Sequence, residues 1–378
     1  MKNFQKIVRG LLAIIIATTS VFMPFEALVL ANENITQSER LTEAELDILW
    51  DKMSDENYSD YEFDLTDAER DALWQRLIGD AETYVENLSE EKIIEIEAEL
   101  EAFYEAEEYF LENLSPEFLW ELYVEENPEV LRMRNGIETV IEEEINTMYE
   151  TLAAEHHGVI EVSPFFSPGG NTPVGFWTRR FSQDDGVSQG NIAAIEAEGL
   201  VARTMAERER RSSGWSEMRE DAFRHWLWNH LSVRATTVGL NATTRYNRTR
   251  IVTTNRELAT AIFQAQPSLE TASPTANQLA MGRYLRIVLV NLTQVGWRNM
   301  MNTPSGRDVQ MDLWNNYWGR RDGANFGPMN NALRQFNDRW NSTAVNTGLV
   351  RGTGTGATAM SIARQDRIWT RRKALPHN

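Results

Sequence analysis

The chain has 378 residues, of which 42% are hydrophobic and 10% aromatic, enough for a sizeable core and more than one domain. It contains no cysteine, which excludes a disulfide framework, thiolate zinc sites, a cysteine nucleophile and a lipoprotein anchor. The net charge of -19 divides unevenly, because residues 1–162 hold 40 acidic and 10 basic residues while residues 163–378 hold 16 and 27. An acidic half is therefore followed by a basic half.

Residues 1–31 have the pattern of a secretory signal peptide. Three basic side chains precede an apolar run from Leu11 to Phe25, and the small side chains of Val29 and Ala31 follow. This run is shorter than the ~20 residues that a membrane-spanning helix needs. We expect cleavage after Ala31, a secreted mature chain and no transmembrane segment after cleavage. An uncleaved anchor is the alternative.

Residues 32–162 predict an acidic helical repeat region. The segment 41–53 reappears as 65–77, and weaker copies begin at Leu88 and Leu114. Each unit opens with a hydroxyl residue after a leucine, and the pairs Thr42–Glu45 and Thr66–Glu69 have the capping-box spacing. Leucines and tryptophans then recur at helical intervals. Each unit should form a helix.

Two interpretations of the acidic charge stay open. The acidic half can bind and mask the basic half, or the charges can solvate exposed helix faces. No catalytic spacing appears in this half, and we expect the His156–His157 pair to mark a helix end rather than a metal site.

Residues 163–175 are rich in proline and glycine and predict a linker, followed by an Arg/Trp-rich helical domain over 176–378. The basic half has 26 arginines, one lysine and nine tryptophans. Scattered arginines with tryptophans suit an anionic cell-wall polymer or lipid, or the acidic half itself. Nucleic acid is a weaker candidate, because no compact basic run is present.

Residues 216–233 predict a helix with one polar stripe. Asp221, His225 and Asn229 lie at i, i+4 and i+8, so they share a face. Arg224 and Trp228 flank this stripe, and apolar side chains cover the rest of the helix.

A second helix repeats this arrangement. Asp312, Asn316 and Arg320 lie at the same spacing, with Asn315 adjacent. Gly319 costs such a helix ~1 kcal/mol relative to alanine, which suggests a close helix crossing or a ligand at that position. Trp314 and Trp318 pair on a neighbouring face.

We expect the two stripes to face each other, with Arg224 and Arg320 at the edge of the cluster. Such a cluster allows His225 to act as a general base, with arginine and asparagine stabilising an anionic intermediate. Alternatively, Asp221, His225 and Asp312 bind a divalent metal, with Asn315 or Asn316 as an oxygen ligand. A purely structural polar network is the third interpretation. The candidate catalytic residues are Asp221, Arg224, His225, Asn229, Asp312, Asn315, Asn316 and Arg320.

The segments 221–229 and 311–320 together resemble a helical domain family of bacterial exported and toxin-associated proteins. Its pattern is D-A-x-R-H-x-x-W-N followed by M-D-L-x-N-N-x-x-G-R, and the resemblance covers about residues 210–350. The family often carries a His-Glu pair between the motifs and a histidine after Asp-Leu. Here residues 232–310 contain no histidine, and the residue after Asp-Leu is Trp314. The resemblance implies no particular reaction.

These patterns predict a mainly α protein, with an N-terminal acidic helical repeat array and a C-terminal all-α domain. The leading functional hypothesis is a secreted effector or toxin-like hydrolase with a paired-helix Asp/His/Asn site. The alternative is a non-enzymatic cell-surface binding protein in which the polar cluster is a structural network.

Overall fold

The polypeptide is mainly α-helical. A computed structural model describes residues 42–54, 66–113, 115, 118, 121, 173–235, 238–271, 273–291, 304–325 and 332–341. The regular elements in these ranges are helices, with no strand among them, which confirms the mainly α fold class. The signal peptide at 1–31, the His156–His157 pair and residues 163–172 of the expected linker lie outside the described residues.

Ten α-helices lie in the described ranges. In chain order they are α1 (Glu43–Ser54), α2 (Asp67–Glu86), α3 (Glu90–Glu112), α4 (Pro173–Asp184), α5 (Gln189–Ser213), α6 (Glu217–Ser232), α7 (Ala242–Ala265), α8 (Ala276–Asn291), α9 (Pro304–Ala324) and α10 (Ala332–Asn341). Helix α4 begins within the last residues of the expected linker, because proline is well tolerated in the first turn of a helix.

The N-terminal helices begin where the sequence predicts. The hydroxyl of Thr66 accepts a hydrogen bond from the backbone N–H of Glu69, whose carboxylate accepts from the backbone N–H of Thr66. The same reciprocal pair joins Thr42 and Glu45, and Ser89 caps α3. These bonds satisfy backbone donors that the first turn of a helix leaves unpaired, so the capping boxes are confirmed.

The acidic helices share a hydrophobic core with the basic part of the chain. Helix α8 packs against both α2 and α3. The rings of Tyr84 on α2 and Tyr284 on α8 lie 5.0 Å apart, and those of Phe103 on α3 and Phe176 on α4 lie 4.9 Å apart. Aromatic pairs at these distances add to the stabilisation by burial, so an apolar interface joins the two parts.

Ion pairs cross the same interface. Glu99 of α3 lies 3.1 Å from a nitrogen of Arg180 on α4 and 2.7 Å from a nitrogen of Arg283 on α8. Glu107 lies 2.8 Å from Arg179, whose side chain is fully buried. Removing the carboxylate of Glu107 would therefore take away the close counter-charge of a buried guanidinium, which is costly.

Helix α6 lies between α5 and α9. The chain reverses direction after α5 at Gly214, whose left-handed backbone (φ 64°) ends that helix, and Ser216 caps the start of α6. The apolar face of α6 buries Phe223 and Trp226 in a core to which α5, α9 and α10 also contribute. The polar stripe of α6 therefore has a fixed orientation.

Two glycines allow α6 and α9 to approach closely. A Cβ atom on Gly319 would lie 2.1 Å from the carbonyl oxygen of Trp226 and 2.9 Å from the Cβ of Asn229. A Cβ atom on Gly323 would lie 2.5 Å from the carbonyl oxygen of His230. Only a residue without a side chain fits at either position, which confirms that Gly319 marks a close helix crossing.

Candidate functional site

The two polar stripes face each other across the crossing of α6 and α9. Asn229 of α6 donates from Nδ2 to Oδ1 of Asn316 on α9, at 2.6 Å. One turn earlier, Nε2 of His225 lies 3.3 Å from Oδ1 of Asp312. The structure therefore brings the two predicted stripes into one cluster.

The deepest part of the cluster is a closed hydrogen-bonded network. We call Asn229, Thr253, Asn316 and Arg320 the inner network; all four side chains are fully buried. Oδ1 of Asn229 accepts from the hydroxyl of Thr253 at 3.1 Å and from Nη1 of Arg320 at 2.9 Å. Nη1 of Arg320 also lies 3.2 Å from that hydroxyl. These bonds join α6, α7 and α9, because Thr253 belongs to α7.

The sequence expectation for Arg320 is wrong in one respect. We expected its guanidinium at the edge of the cluster, but it lies at the bottom, fully buried, with Nη1 donating to Asn229. The ring of Tyr246 on α7 covers it, with 5.7 Å between the guanidinium carbon and the ring centre. A buried guanidinium with hydrogen-bonded partners stabilises the helix crossing and is removed from any substrate.

Glu257 of α7 is a member of the site that sequence reasoning missed. Its Oε1 accepts from Nδ2 of Asn316 at 2.9 Å and lies 3.5 Å from Nδ1 of His225. Burial raises the pKa of Glu257 above its ordinary value, while the hydrogen bond from Asn316 acts in the opposite direction. One signal was present in the sequence: Glu257 is the single acidic residue of α7, which contains four arginines.

The surroundings of His225 select one tautomer of its ring. Nδ1 lies 3.2 Å from Oδ1 of Asn316, an atom that can only accept a hydrogen bond. Nδ1 therefore carries the proton, and Nε2 keeps its lone pair. Burial lowers the pKa of His225 to about 4, although the carboxylate of Asp221 acts in the opposite direction. The imidazole is neutral at neutral pH.

Around Nε2 of His225 lies a more accessible set of charged side chains, which we call the outer group: Asp221, Arg224 and Asp312. Nε2 is 3.3 Å from Oδ1 of Asp312, 3.8 Å from Oδ1 of Asp221 and 3.3 Å from Nη2 of Arg224. Nη2 of Arg224 also donates to Asp221. The exposed side-chain fractions are 29% for Asp221, 44% for Arg224 and 14% for Asp312. Solvent therefore reaches the outer group but not the inner network.

Asn315 is placed differently from its neighbour Asn316. Its side chain is fully buried, and neither of its polar atoms has a hydrogen-bond partner among the described residues. Asn316 cannot supply an oxygen ligand to a metal without losing the bonds that its Oδ1 accepts from Asn229 and His225. Of the two amides considered as oxygen ligands, only Asn315 has an uncommitted oxygen within the described part of the chain.

Comparison with known proteins adds no further constraint. No protein-family model matches the chain, and neither a curated protein nor a solved structure shows significant similarity to it.

Proposed function

We propose that the chain is an exported hydrolase whose active centre is the outer group together with Nε2 of His225. The observation that carries this proposal is the layering of the site, since a solvent-accessible set of charged groups rests on a rigid, fully buried network. An active site needs reactive groups that a substrate can reach and a supporting shell that holds them in place. Export is supported by the signal-peptide pattern of residues 1–31, and the resemblance to exported and toxin-associated domains belongs to the same proposal.

The arrangement suits attack by an activated water. Nε2 of His225 and the carboxylates of Asp221 and Asp312 are acceptors that converge on the accessible side of the cluster. Water activation can follow two routes. His225 can take the proton on Nε2 while Nδ1 keeps its hydrogen bond to Asn316, with Glu257 stabilising the imidazolium. Alternatively, a cation held by the three acceptors can lower the pKa of the water.

The position of Arg224 favours a substrate that carries negative charge. Its guanidinium lies beside Nε2 and is the most exposed group of the site. A guanidinium at this position can bind a substrate anion and stabilise the negative charge that develops on hydrolysis. We therefore propose an anionic or polar polymer, such as a cell-wall polymer, or a lipid as the substrate. Nucleic acid is the weaker candidate.

The closed inner network favours a second candidate, a non-enzymatic surface-binding protein. Asn229, Thr253 and Arg320 bond to each other and are inaccessible to solvent, which suits a purely structural role. Under this alternative, the outer group would only continue the network to the surface.

We further propose that the acidic half binds the basic half within one chain. The ion pairs of Glu99 and Glu107 with arginines of α4 and α8 support this. The main packing of α2 and α3 is against α8, so this interface is separate from the α6–α9 crossing. None of the described helices is long and apolar enough to cross a membrane.

The hydrolase proposal is tested with the full chain and a panel of chromogenic carboxylic, phosphomonoester and phosphodiester substrates. His225→Ala and Asp312→Asn should lower turnover of the substrate that is cleaved by at least about 100-fold. Glu217→Gln is the matched control, because this carboxylate is also on α6 but is 84% exposed and pairs with Arg210 of α5. It should leave turnover unchanged.

The surface-binding alternative predicts a different result. The wild-type chain would cleave no member of the panel, and His225→Ala would lower the free energy of unfolding by ~1–3 kcal/mol, since buried partners would be left without hydrogen bonds.

A further inference from the structure

We infer that Asp221, His225 and Asp312 form a binding site for one divalent transition-metal ion, of the class of Zn²⁺ or Mn²⁺. The inference deepens the proposed function, because it names the group that activates the water at the same site. Metal binding and hydrolysis are nevertheless separate measurements, so each can fail without the other.

The spacing of the three side chains fits a shared ion. One ligand atom from each residue can be chosen so that all three lie within 4.8 Å of one another. Nε2 of His225 is 3.3 Å from Oδ1 of Asp312 and 3.8 Å from Oδ1 of Asp221. Two ligand atoms that each lie ~2.1 Å from one metal are ~3.0 Å apart at the bond angle of an octahedral site and ~3.8 Å apart at an angle somewhat wider than tetrahedral. The two distances from Nε2 lie in this range, while the two carboxylate atoms, within 4.8 Å of each other, must come within ~4.2 Å to share an ion.

The imidazole is oriented as a metal ligand. Nδ1 of His225 donates to Oδ1 of Asn316, and Glu257 lies 3.5 Å from the same nitrogen. Histidines that bind metals usually donate their second ring nitrogen to a carboxylate or an amide oxygen, which fixes the ring and leaves the other nitrogen free to bind. Here the ring nitrogen on the accessible side has the lone pair, and it faces two carboxylates.

The charges of the site also favour a cation. The lone pair of Nε2 and two carboxylates face one another within one cluster. Arg224 donates to Asp221 and lies 3.3 Å from Nε2, so an ion would take the place of this guanidinium, which is 44% exposed. A divalent ion would interact favourably with all three acceptors at once.

Asn315 provides a second, independent observation. It follows Asp312 by three residues on α9, and helical spacing places the two side chains beside each other. Asn315 is fully buried and has no hydrogen-bond partner among the described residues, although buried amides normally have one. Its Oδ1 is a candidate fourth ligand, or a hydrogen-bond acceptor for a metal-bound water.

The ligand set selects the class of metal. Two carboxylates with one imidazole suit Zn²⁺, Mn²⁺ or Fe²⁺, whereas Ca²⁺ and Mg²⁺ prefer oxygen ligands alone. The chain has no cysteine, so no thiolate competes for these ions, and its five histidines make the nitrogen ligands easy to assign.

The test measures metal binding to the full chain after removal of bound ions with a chelator. Calorimetric titration with Mn²⁺ and with Zn²⁺ should show one tight site. Asp221→Asn, Asp312→Asn and His225→Ala should each weaken it by at least about 100-fold, since loss of a second-shell partner alone costs 10–100-fold. Two variants should keep the wild-type affinity. One is Glu217→Gln, and the other is the double change His156→Ala with His157→Ala, which removes two histidines that are consecutive in the sequence.

A spectroscopic measurement on the wild-type chain guards against variants that fail to fold. Pulsed electron paramagnetic resonance of the Mn²⁺-loaded protein should show coupling to one imidazole nitrogen. The inference is overturned if no ion binds, if binding is unaffected by the three ligand variants, or if the bound Mn²⁺ shows no nitrogen coupling. Hydrolysis that persists after chelation would overturn the part of the inference that gives the ion the task of activating water, while leaving the hydrolase proposal with His225 as the base. Metal binding without hydrolysis of any substrate would instead reject the hydrolase proposal and keep the metal site.

Discussion

Gly319→Ala tests whether the close approach of α6 and α9 assembles the site. The added Cβ would lie 2.1 Å from the carbonyl oxygen of Trp226, whereas ordinary contacts of this kind begin at 3.4 Å, so the helices must separate by about 1.3 Å. A backbone carbonyl within α6 cannot move away alone. The hydrogen bonds from Asn229 to Asn316 and from Arg320 to Asn229, at 2.6 and 2.9 Å, would lengthen with this separation.

The expected loss of stability follows from three contributions. Alanine is better than glycine inside a helix by ~1 kcal/mol, which favours the variant. Overpacking a rigid contact costs ~1–3 kcal/mol, and each weakened buried hydrogen bond costs ~1 kcal/mol. We therefore expect the free energy of unfolding to fall by ~2–4 kcal/mol, and substrate turnover and metal affinity to fall with it.

Gly79→Ala is the matched control, because Gly79 lies inside α2 and a Cβ atom there would meet nothing within 4 Å. This variant should be as stable as the wild type or more stable by up to ~1 kcal/mol. Urea denaturation followed by circular dichroism gives both values. If Gly319→Ala were as stable as Gly79→Ala and kept full metal affinity, the close crossing would not be what assembles the site.

Three further predictions concern buried groups and the interface between the acidic and basic parts of the chain. Burial raises the pKa of Glu196 from 4.5 to about 7, so the free energy of unfolding should fall as the pH rises between these values. Glu196→Gln should flatten this pH dependence, which urea denaturation at pH 5 and pH 8 measures. An equally steep dependence in the variant would contradict the raised pKa of Glu196. Thr253→Val removes the hydroxyl that bonds to Asn229, so its free energy of unfolding should be lower by ~1–3 kcal/mol. Thr253→Ser keeps the hydroxyl and should be about as stable as the wild type. An equal loss of stability in both variants would point to packing rather than to the hydrogen bond. Glu99→Gln should speed amide hydrogen exchange in α3 at low salt, because the ion pairs with Arg180 and Arg283 are lost. Exchange that is unchanged would show that the apolar contacts alone hold the interface.

Local features of the sequence were sufficient to place helix starts and polar stripes. Thr42, Thr66 and Ser89 cap their helices through bonds to residues three positions later, and such bonds depend on nothing outside the segment. The spacing of Asp221, His225 and Asn229 likewise places them on one face of any helix. The opposition of the two stripes could be predicted as well, because both helices carry aromatic residues that must be buried on other faces.

The depth of each side chain was decided only by tertiary structure. The sequence pattern treats Asp312, Asn316 and Arg320 alike, yet Asp312 is partly exposed and Arg320 lies at the bottom of the site. Depth along a stripe depends on where the partner helices cross it, and that position is set by packing between residues distant in sequence. The contribution of Glu257 has the same origin, since α7 crosses the α6–α9 pair and brings a carboxylate to a histidine 32 positions earlier in the chain. The local sequence therefore determined which residues share a face, while the crossing of three helices determined which of them meet and which remain open to solvent.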